Sequence, residues 1–305
     1  MKEVLVTGGA GFIGSHLVEQ LVHRGDHVTV IDDLSNGNTE NLRMVWDKIE
    51  FIKGDVSKPL TKLELAEPID QIFHLACFPR SMSFDNPTRD TEVNALSTLN
   101  VIELARKSDS KIVFSSNSGI YDTSIIPIDE NTSNNSKTPY DLNKLQSEEY
   151  LKLYNKTFGT KYTIFRFATV YGPRQNVSPD WKPVVVEFIS KLKNDEKATI
   201  YWDGDQTRDF IFVADLVKAL VSTLDDKKGI GETMILGSGV ETSINDLYNI
   251  VSDLLDKKIE PIRKPMQLGD IKRMRYNCEK AKTILNWRAE TSLTEGVEKI
   301  IEWMN

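Results

Sequence analysis

Tyr140 and Lys144 are the residues of this chain whose types and spacing indicate acid–base chemistry. They stand four positions apart in Pro139-Tyr140-Asp141-Leu142-Asn143-Lys144, at the start of a helical pattern, so both side chains share one helix face, a turn apart. A free tyrosine, with a pKa of about 10, is a poor base at neutral pH. A nearby ammonium stabilises the phenolate and lowers that pKa. The pair is therefore a candidate general base.

The same spacing occurs a second time in the chain, at Tyr276 and Lys280. The difference lies upstream, because the β-rich run 111–114 precedes Tyr140 and leads into Ser115-Ser116-Asn117-Ser118. Polar groups at the carboxyl end of a parallel strand lie where ligands bind, although a plain Ser/Asn-rich turn has the same composition. The second pair has no such strand, and we expect it to cover the surface of a C-terminal helix.

Three glycines near the start of the chain indicate a phosphate-binding loop. Gly8, Gly11 and Gly14 stand between the apolar run 4–6 and a helical pattern that begins at Ser15. One glycine allows a tight turn, one lets the backbone approach a pyrophosphate, and one lets the helix lie close to the sheet. The helix N-terminus offers free N–H groups and a positive dipole end. In this context the pattern predicts a dinucleotide-binding site.

An acidic residue after the next β-rich run supports that prediction. The run 28–31 ends in Asp32-Asp33, and Asp32 lies eighteen residues after Gly14. This spacing suits a carboxylate that binds the adenosine ribose and repels a 2′-phosphate, so NAD is favoured over NADP. The alternative is an acidic turn without a ligand. Asp55, after the run 51–52, is a candidate for contact with the adenine.

Composition excludes several classes of protein. The chain has 305 residues, 40% hydrophobic and 27% charged, with a net charge of −7 and scattered Lys and Arg, so we expect no nucleic-acid partner. Two cysteines and four histidines without metal-ligand spacing predict no metal site and a reducing, cytoplasmic location. No apolar run reaches the length of a membrane span, and because a predicted strand starts at residue 3 we expect no signal peptide.

The order of elements predicts an α/β fold with a doubly wound parallel (Rossmann) sheet and a smaller C-terminal mixed α/β domain for the substrate. We assign 1–167 with 202–239 to the first domain and 168–201 with 240–305 to the second. Between them, 172–183 reads as a loop. The predicted strands are 3–7, 27–31, 50–53, 71–75, 111–115 and 162–166, and the predicted helices are 15–24, 90–107 and 140–158.

These residues together resemble the extended short-chain dehydrogenase/reductase family, in its nucleotide-sugar epimerase/dehydratase branch. The resemblance runs nearly end to end. It implies an NAD-binding Rossmann domain, a C-terminal domain that holds a sugar nucleotide, and a homodimer formed through two helices per subunit. Its motifs are Thr7 to Gly14, Asp32-Asp33-Leu34-Ser35, His74-Leu75-Ala76, Asn94, Tyr140 with Lys144, Val170-Tyr171-Gly172-Pro173-Arg174, Asp203-Gly204-Asp205, Arg208-Asp209, Gly269-Asp270 and Leu285-Asn286-Trp287.

The resemblance implies roles for individual residues. Tyr140 would be the general base, and Lys144 would tune it and hold the nicotinamide ribose. The implied cofactor-binding set is Gly8, Gly11, Phe12, Ile13, Gly14, Asp32, Asp33, Asn36, Asp55, Val56, Leu75, Ala76, Tyr140 and Lys144.

One position departs from the family pattern. Members usually carry Ser or Thr four residues before the tyrosine of a Val-Tyr-Gly segment, and here that residue is Asn117. An amide can hydrogen-bond a sugar oxygen but cannot relay a proton as a hydroxyl does. Ser116 and Ser118 are alternative hydroxyl donors. The departure implies either a slower enzyme or a substrate that is held differently.

The same segment bears on the reaction. Related dehydratases place Asp-Glu after the Thr and related decarboxylases keep a Glu, whereas this chain has Ser118-Gly119. The resemblance therefore implies 4-epimerisation of a nucleotide sugar, a UDP-hexose or UDP-hexuronate, by transient oxidation at C4. The alternatives are a dehydratase, a decarboxylase, a keto-sugar reductase, or a non-catalytic NAD-binding sensor.

The substrate side is less regular. Arg208 matches a family arginine near the diphosphate, and Asp270 matches an acid that holds the nucleotide ribose. Two positions differ from common epimerases, since Gln267 and Thr169 replace an Arg and an Asn. Arg80 is a candidate for an acidic or phosphorylated group, or a solvated loop arginine. The proposed substrate-binding set is Ser118, Arg80, Thr169, Arg208, Asp270 and Arg273, with Arg275 as an alternative to Arg273.

Overall fold

A seven-stranded parallel sheet forms the centre of the molecule in the computed structural model, which describes residues 1–60, 65, 68–175, 183–225, 227–266 and 271–305. The strands of this sheet are β1 (Glu3–Thr7), β2 (His27–Asp32), β3 (Ile49–Lys53), β4 (Gln71–His74), β5 (Lys111–Asn117), β6 (Tyr162–Phe167) and β11 (Glu232–Leu236). Their spatial order is β11-β6-β5-β4-β1-β2-β3, which confirms the predicted doubly wound arrangement. The order reverses between β1 and β4, where ligands bind in such sheets.

Three two-stranded pairs lie beyond the large sheet. β10 (Phe210–Phe212) pairs with β7 (Thr169–Tyr171) and β13 (Ile262–Lys264) with β8 (Thr199–Tyr201), both in parallel, while β12 (Thr242–Ser243) is antiparallel to β9 (Thr207–Arg208). The helices are α1 (Phe12–Arg24), α2 (Pro87–Thr91), α3 (Ser97–Ser108), α4 (Pro139–Phe158), α5 (Val184–Lys193), α6 (Val213–Ser222), α7 (Ile244–Leu255), α8 (Glu279–Leu285) and α9 (Leu293–Trp303).

Local sequence explains the helix that carries the candidate base. Pro139 occupies the first turn of α4, the Thr138 hydroxyl accepts a hydrogen bond from the Asp141 N–H, and Gly159 ends the helix in a left-handed conformation. Proline at the start and glycine just past the end are typical helix boundaries. The helix therefore begins where the predicted catalytic pair requires it.

Apolar runs explain the sheet. Leu5, Ile72 and Phe114 pack in a hydrophobic core with α3, whereas Val6 and Phe73 belong to a core that includes α1 and α6. Successive residues of a strand point to opposite faces, so runs apolar on both faces give a sheet covered on both sides. A third core lies between α5, α7 and α9. Among the helices described, none is long and apolar enough to span a membrane.

Two sequence-based expectations differ from the structure. The predicted helix 90–107 is part of a longer helical segment in which α2 and α3 are joined by a π-helical turn, Glu92–Leu96. The expectation for Tyr276 and Lys280 is wrong. Tyr276 is 2% exposed and precedes α8, where it forms a β-bridge with Ile128. Lys280 alone lies on the helix, paired with Glu232.

Candidate active site

The glycine loop between β1 and α1 forms the floor of a cavity of about 260 Å³ at the carboxyl ends of the strands. Gly8 has φ +71°, and a Cβ on Gly14 would lie 2.1 Å from the Gly8 carbonyl oxygen, so neither position accepts a side chain. A Cβ on Gly11 would meet only that oxygen, at 3.2 Å. Gly11 lines the cavity and no side chain caps α1. The first N–H groups of α1 are thus available to a phosphate.

Asp32 connects this loop to the turn after β2. Its carboxylate accepts hydrogen bonds from the Ala10 and Leu34 N–H groups, each at 2.9 Å. Burial raises the pKa of Asp32, and the two backbone hydrogen bonds oppose this effect. The carboxylate still lines the cavity. The structure therefore adds a role that the spacing did not reveal, which is to fix the shape of the glycine loop.

Arg89 of α2 gathers the acidic groups at one end of the same cavity. Its guanidinium donates to Asp55 at 2.9 Å and to Glu92 and the Ser57 hydroxyl at 3.1 Å, and lies 3.5 Å from Asp33. Burial alone would raise the pKa of Asp55, but hydrogen bonds from Ser57 and then from Arg89 outweigh it, so the pKa is lowered. One side chain thus holds together the segments after β2 and β3. Sequence reasoning missed it, because no local motif surrounds Arg89.

Tyr140 lies at the junction between this cavity and a second one of about 700 Å³, and its side chain lines both. The Lys144 ammonium donates to the Ser115 carbonyl oxygen at 2.9 Å and lies 5.6 Å from the centre of the Tyr140 ring. Lys144 is 1% exposed. The structure therefore brings the two residues together at the end of β5, as the helical spacing predicted.

Burial sets the charge state of this pair. It raises the pKa of Tyr140 well above the usual range, with Cys77, Asp141 and Asp90 adding to the effect and Arg80 opposing it. Burial also lowers the pKa of Lys144. Burial therefore dominates the Tyr140 pKa among the protein's own groups. The expectation that the Lys144 ammonium and a bound nicotinamide together lower it stays a prediction.

The polar side chains at the end of β5 form hydrogen bonds within the protein. The Ser116 hydroxyl donates to Glu148 at 2.5 Å, and the Ser118 hydroxyl donates to the Phe167 carbonyl oxygen at 2.5 Å. Asn117 accepts from the Gly119 N–H at 2.9 Å and donates from its amide nitrogen to Asp141 at 2.6 Å. Both serine hydroxyls thus donate to groups of the protein itself, which argues against the serines as substitutes for the missing hydroxyl.

Arg80 is held by a carboxylate of the protein. Its Nε and Nη2 atoms each lie 3.0 Å from an oxygen of Asp141, the residue that follows Tyr140 on α4. Asn94 supports the preceding loop through two hydrogen bonds with the Phe78 backbone, at 3.1 and 3.2 Å. The Arg80 guanidinium is therefore paired within the chain, and its expected contact with an acidic or phosphorylated group of a substrate stays a prediction.

The second cavity, which we call the substrate cavity, contains several of the residues predicted for substrate contact. Arg208 lines it and donates to the Thr207 and Ile271 carbonyl oxygens at 2.8 Å. Arg273 does not line it, because its guanidinium pairs with Glu241 at 2.7 Å on the surface. Arg275 is exposed. Gln267 and Asp270 lie outside the described residues. The other predicted residues that line the substrate cavity are Arg80, Asn117, Ser118 and Thr169.

Comparison with known proteins identifies the family to which the chain belongs. The sequence profile of the NAD dependent epimerase/dehydratase family matches residues 4–237. The chain belongs to this family. NAD is accordingly its cofactor, and the glycine cradle, the uncapped start of α1 and the Asp32 carboxylate fit that dinucleotide.

Relatives from this family align with nearly the whole length of the chain. A putative UDP-glucose 4-epimerase of Methanocaldococcus jannaschii is 37% identical over 99% of this chain and 98% of its own length. UDP-glucuronic acid decarboxylase 1 of Arabidopsis thaliana is 33% identical over 98% of this chain and 68% of its own length. The relatives thus include both epimerases and decarboxylases of UDP-sugars.

Solved structures of family members share the fold. The UDP-glucose 4-epimerase of Thermotoga maritima with UDP-glucose superimposes with a TM-score of 0.92, at 31% identity over 99% of this chain and 98% of that one. The UDP-glucuronic acid 4-epimerase of Bacillus cereus, in complex with UDP-glucuronic acid and NAD, has a TM-score of 0.88 and 29% identity with the same coverage. This chain is an NAD-dependent, nucleotide-sugar epimerase/dehydratase-type protein.

Sequence reasoning missed several residues of the site. Gln175 and Gln206 line the substrate cavity with buried side-chain oxygens that have no partner among the described residues. Each amide nitrogen donates to a backbone carbonyl oxygen, of Val170 and Tyr201 respectively. Both lie beside quoted motifs, since Gln175 follows Arg174 directly and Gln206 precedes Arg208 by two positions. Their position beside these motifs was the sequence feature that could have identified them as residues of the site.

Proposed function

We propose that the protein interconverts the C4 epimers of a nucleotide sugar, most simply a UDP-hexose. The observation that carries this proposal is the position of Tyr140 at the junction of the two cavities, beside Lys144. A group there touches both a cofactor and a sugar, as a base for C4 oxidation must.

The proposed role of each residue follows from its position relative to the two cavities. Tyr140 takes the proton of the C4 hydroxyl and later returns it to the same oxygen. Lys144 holds the nicotinamide ribose and supplies positive charge beside the phenolate. NAD bound along the glycine loop supplies a hydride acceptor and then a donor. Because burial raises the pKa of Tyr140, the Lys144 ammonium and a bound nicotinamide would together stabilise the phenolate.

The substrate cavity supports reversal of the sugar. Its volume of about 700 Å³ leaves room for a keto sugar to turn and present its other face. Thr169, Ser118 and Arg208 are the proposed substrate contacts on its wall, with Arg208 toward the diphosphate, where a guanidinium suits phosphate geometry. Asp270 is the proposed ribose contact.

The residues that line the substrate cavity favour epimerisation over elimination of water. Among the described residues that line the substrate cavity, Glu187 of α5 is the only carboxylate. The positions where related dehydratases and decarboxylases carry acids are Ser118 and Gly119. The Ser118 hydroxyl is committed to the Phe167 carbonyl oxygen. Elimination of water needs an acid beside the sugar, and this segment supplies none.

The proposal extends to organisation. We assign the NAD site to 1–167 with 202–239 and the sugar site to 168–201 with 240–305, a division supported by the separate core between α5, α7 and α9. We also propose a homodimer through α3 and α4, because Leu142 and Leu153 of α4 are exposed, as is Leu96 at the end of the π-helical turn that precedes α3. Two free cysteines suit a cytoplasmic location.

A panel of UDP-, GDP- and dTDP-sugars, incubated with the NAD-loaded protein, tests the proposed reaction. We expect a product of unchanged mass with inverted proton coupling at C4. Loss of water or carbon dioxide would instead identify a dehydratase or decarboxylase. Turnover that needs added NADH would identify a keto-sugar reductase, and binding without turnover a sensor.

Tyr140→Phe tests the proposed base. We expect kcat to fall by about 10²–10⁴-fold, the usual contribution of a general base, while the affinity for the nucleotide sugar stays within about twofold. Tyr150→Phe, on the same helix, is the matched control because Tyr150 lines neither cavity. Equal kcat in the Tyr140 variant and the wild type would reject Tyr140 as the base.

A further inference from the structure

Asp141 has an unusual concentration of donors for a residue next to the proposed base. Its side chain is 0% exposed and pairs with Arg80 through two hydrogen bonds of 3.0 Å. The Asn117 amide nitrogen donates to it at 2.6 Å and the Lys137 N–H at 3.3 Å. Arg80 and Asn117 both line the substrate cavity, whereas Asp141 lies behind them. One buried carboxylate therefore orients two residues of the wall.

This pairing also determines the charge of the wall. The charged side chains that line the substrate cavity, among the residues described, are Arg80, Glu187 and Arg208. The positive charge of Arg80 is balanced by Asp141 in a bidentate pair, the strongest geometry for a guanidinium and a carboxylate. The wall beside Tyr140 thus offers N–H donors whose charge is already compensated.

Hexosyl and hexuronosyl groups differ in what they require from such a wall. An uncharged sugar presents hydroxyl oxygens, which N–H donors satisfy. A uronate presents a carboxylate, whose desolvation has to be offset by a cation that is not already paired. Asn117 has a second amide hydrogen for a hydroxyl oxygen, but it carries no charge.

We propose that Asp141 is a specificity-determining residue, which holds Arg80 and Asn117 as a charge-balanced donor wall and thereby selects an uncharged hexosyl group over a hexuronosyl group. This inference rests on the proposed function, because it assumes that the sugar of a nucleotide sugar lies against this wall. Asp141 itself is a positioning residue, since it acts through Arg80 and Asn117.

Binding to the NAD-loaded protein, measured by calorimetry with UDP-glucose and UDP-glucuronate, tests the inference through affinity rather than activity. We expect the wild type to bind UDP-glucose at least about tenfold more tightly. Asp141→Asn keeps the shape but releases the Arg80 charge, so we expect the ratio of the two dissociation constants to move toward UDP-glucuronate by about tenfold. In Asp141→Asn with Arg80→Gln, that gain is expected to disappear.

Two further variants keep the test decisive. Asp85→Asn removes one negative charge from an exposed position between Arg80 and α2. It is expected to leave the ratio of the two dissociation constants unchanged. Arg80→Gln alone, at a side chain 42% exposed, is available if Asp141→Asn does not fold. We expect it to leave UDP-glucose preferred. If the wild type prefers UDP-glucuronate and Arg80→Gln abolishes that preference, Arg80 binds the carboxylate directly and the inference is overturned.

The outcomes separate this inference from the proposed function. Epimerisation of a UDP-hexose together with an unchanged ratio in Asp141→Asn would overturn the inference alone. A shifted ratio without epimerisation would support the charge-balanced wall and reject the proposed reaction.

Discussion

At the scale of single residues, burial decides which groups carry charge. His74 ends β4 beside the site and is 1% exposed, with its ring nitrogens bonded to Thr7 at 2.7 Å and Ser97 at 3.2 Å. Burial lowers the pKa of His74 to about 3, and the Lys144 ammonium adds to the effect. The imidazole is therefore neutral, and it serves as a hydrogen-bonding link between β1, β4 and α3.

The neutral His74 predicts acid sensitivity. An unfolded chain binds a proton at His74 below about pH 6.5, whereas the folded protein does so only near pH 3. Stability is therefore lost as the pH falls from about 6.5 toward 3, by about 1.4 kcal/mol per pH unit from this residue. Urea unfolding at pH 6.5 and 5.5 is expected to show a smaller acid loss in His74→Asn than in the wild type. His23→Asn, at an exposed position, is expected to behave as the wild type.

At the scale of elements, buried ion pairs fix the helix that carries Tyr140. Glu148 of α4 is fully buried and accepts hydrogen bonds from Arg166 of β6 at 2.9 and 2.6 Å and from the Ser116 hydroxyl of β5. Arg166 also donates to the Tyr121 hydroxyl. This network sets the position of α4 relative to the polar end of β5.

Removal of Glu148 is expected to be costly. Glu148→Ala leaves the Arg166 charge buried and unpaired, so we expect a loss of about 3–5 kcal/mol in the free energy of unfolding. Glu149→Ala, at the neighbouring side chain that is 64% exposed, is the control, with an expected loss below about 0.5 kcal/mol. Denaturant unfolding measures both. Equal losses in the two variants would contradict the structural role of the Glu148 network.

Arg89 links the segments after β2 and β3 beside the 260 Å³ cavity of the glycine loop, which we call the cofactor cavity. Arg89→Met removes the cation that balances Asp33 and Asp55. Without it, the two carboxylates are no longer held in place where the adenosine of NAD is expected to bind. We therefore expect the dissociation constant for NAD to rise about tenfold. Calorimetric titration of the NAD-free protein measures it. Arg43→Met, at a side chain 70% exposed, is the control, and an equal effect there would indicate a general loss of charge rather than a local one.

At the scale of the whole molecule, the site exists because separate parts of the chain close around one edge of the sheet. The cofactor cavity is lined by segments after β1, β2, β3 and β4, whereas the substrate cavity is also lined by residues of α5, β8 and β9. Tyr140 lies at the boundary of the two. A site for both the cofactor and the sugar therefore requires these separate parts of the chain to pack together.

The proposed dimer is tested at the same scale. Leu153 of α4 is 54% exposed, and burial of such a side chain in an interface is favourable by about 1.5–3 kcal/mol. Leu153→Glu places a charge there, so light scattering is expected to show a shift from dimer to monomer. Ile125→Glu, at a side chain 73% exposed and outside the residues of both helices, is expected to leave the mass unchanged. A monomeric wild type would reject the dimer.

The sequence by itself determined the sheet, the glycine loop and the Tyr140–Lys144 pair. Each depends on residues close together in the chain. Apolar runs form strands buried on both faces, three glycines shape a turn between a strand and a helix, and a four-residue spacing puts two side chains on one helix face. Such patterns carry their own geometry and predict structure directly.

Only the tertiary structure decided the partners of these side chains. Asn117 meets Asp141 across 24 residues and Arg80 meets Asp141 across 61. Arg273 pairs with Glu241 instead of lining the substrate cavity, and Tyr276 is buried beneath Ser118 rather than on a helix surface. These outcomes depend on which distant segments pack together and on the burial that results. Burial also raises the pKa of Tyr140, against the effect that the Lys144 spacing alone suggests.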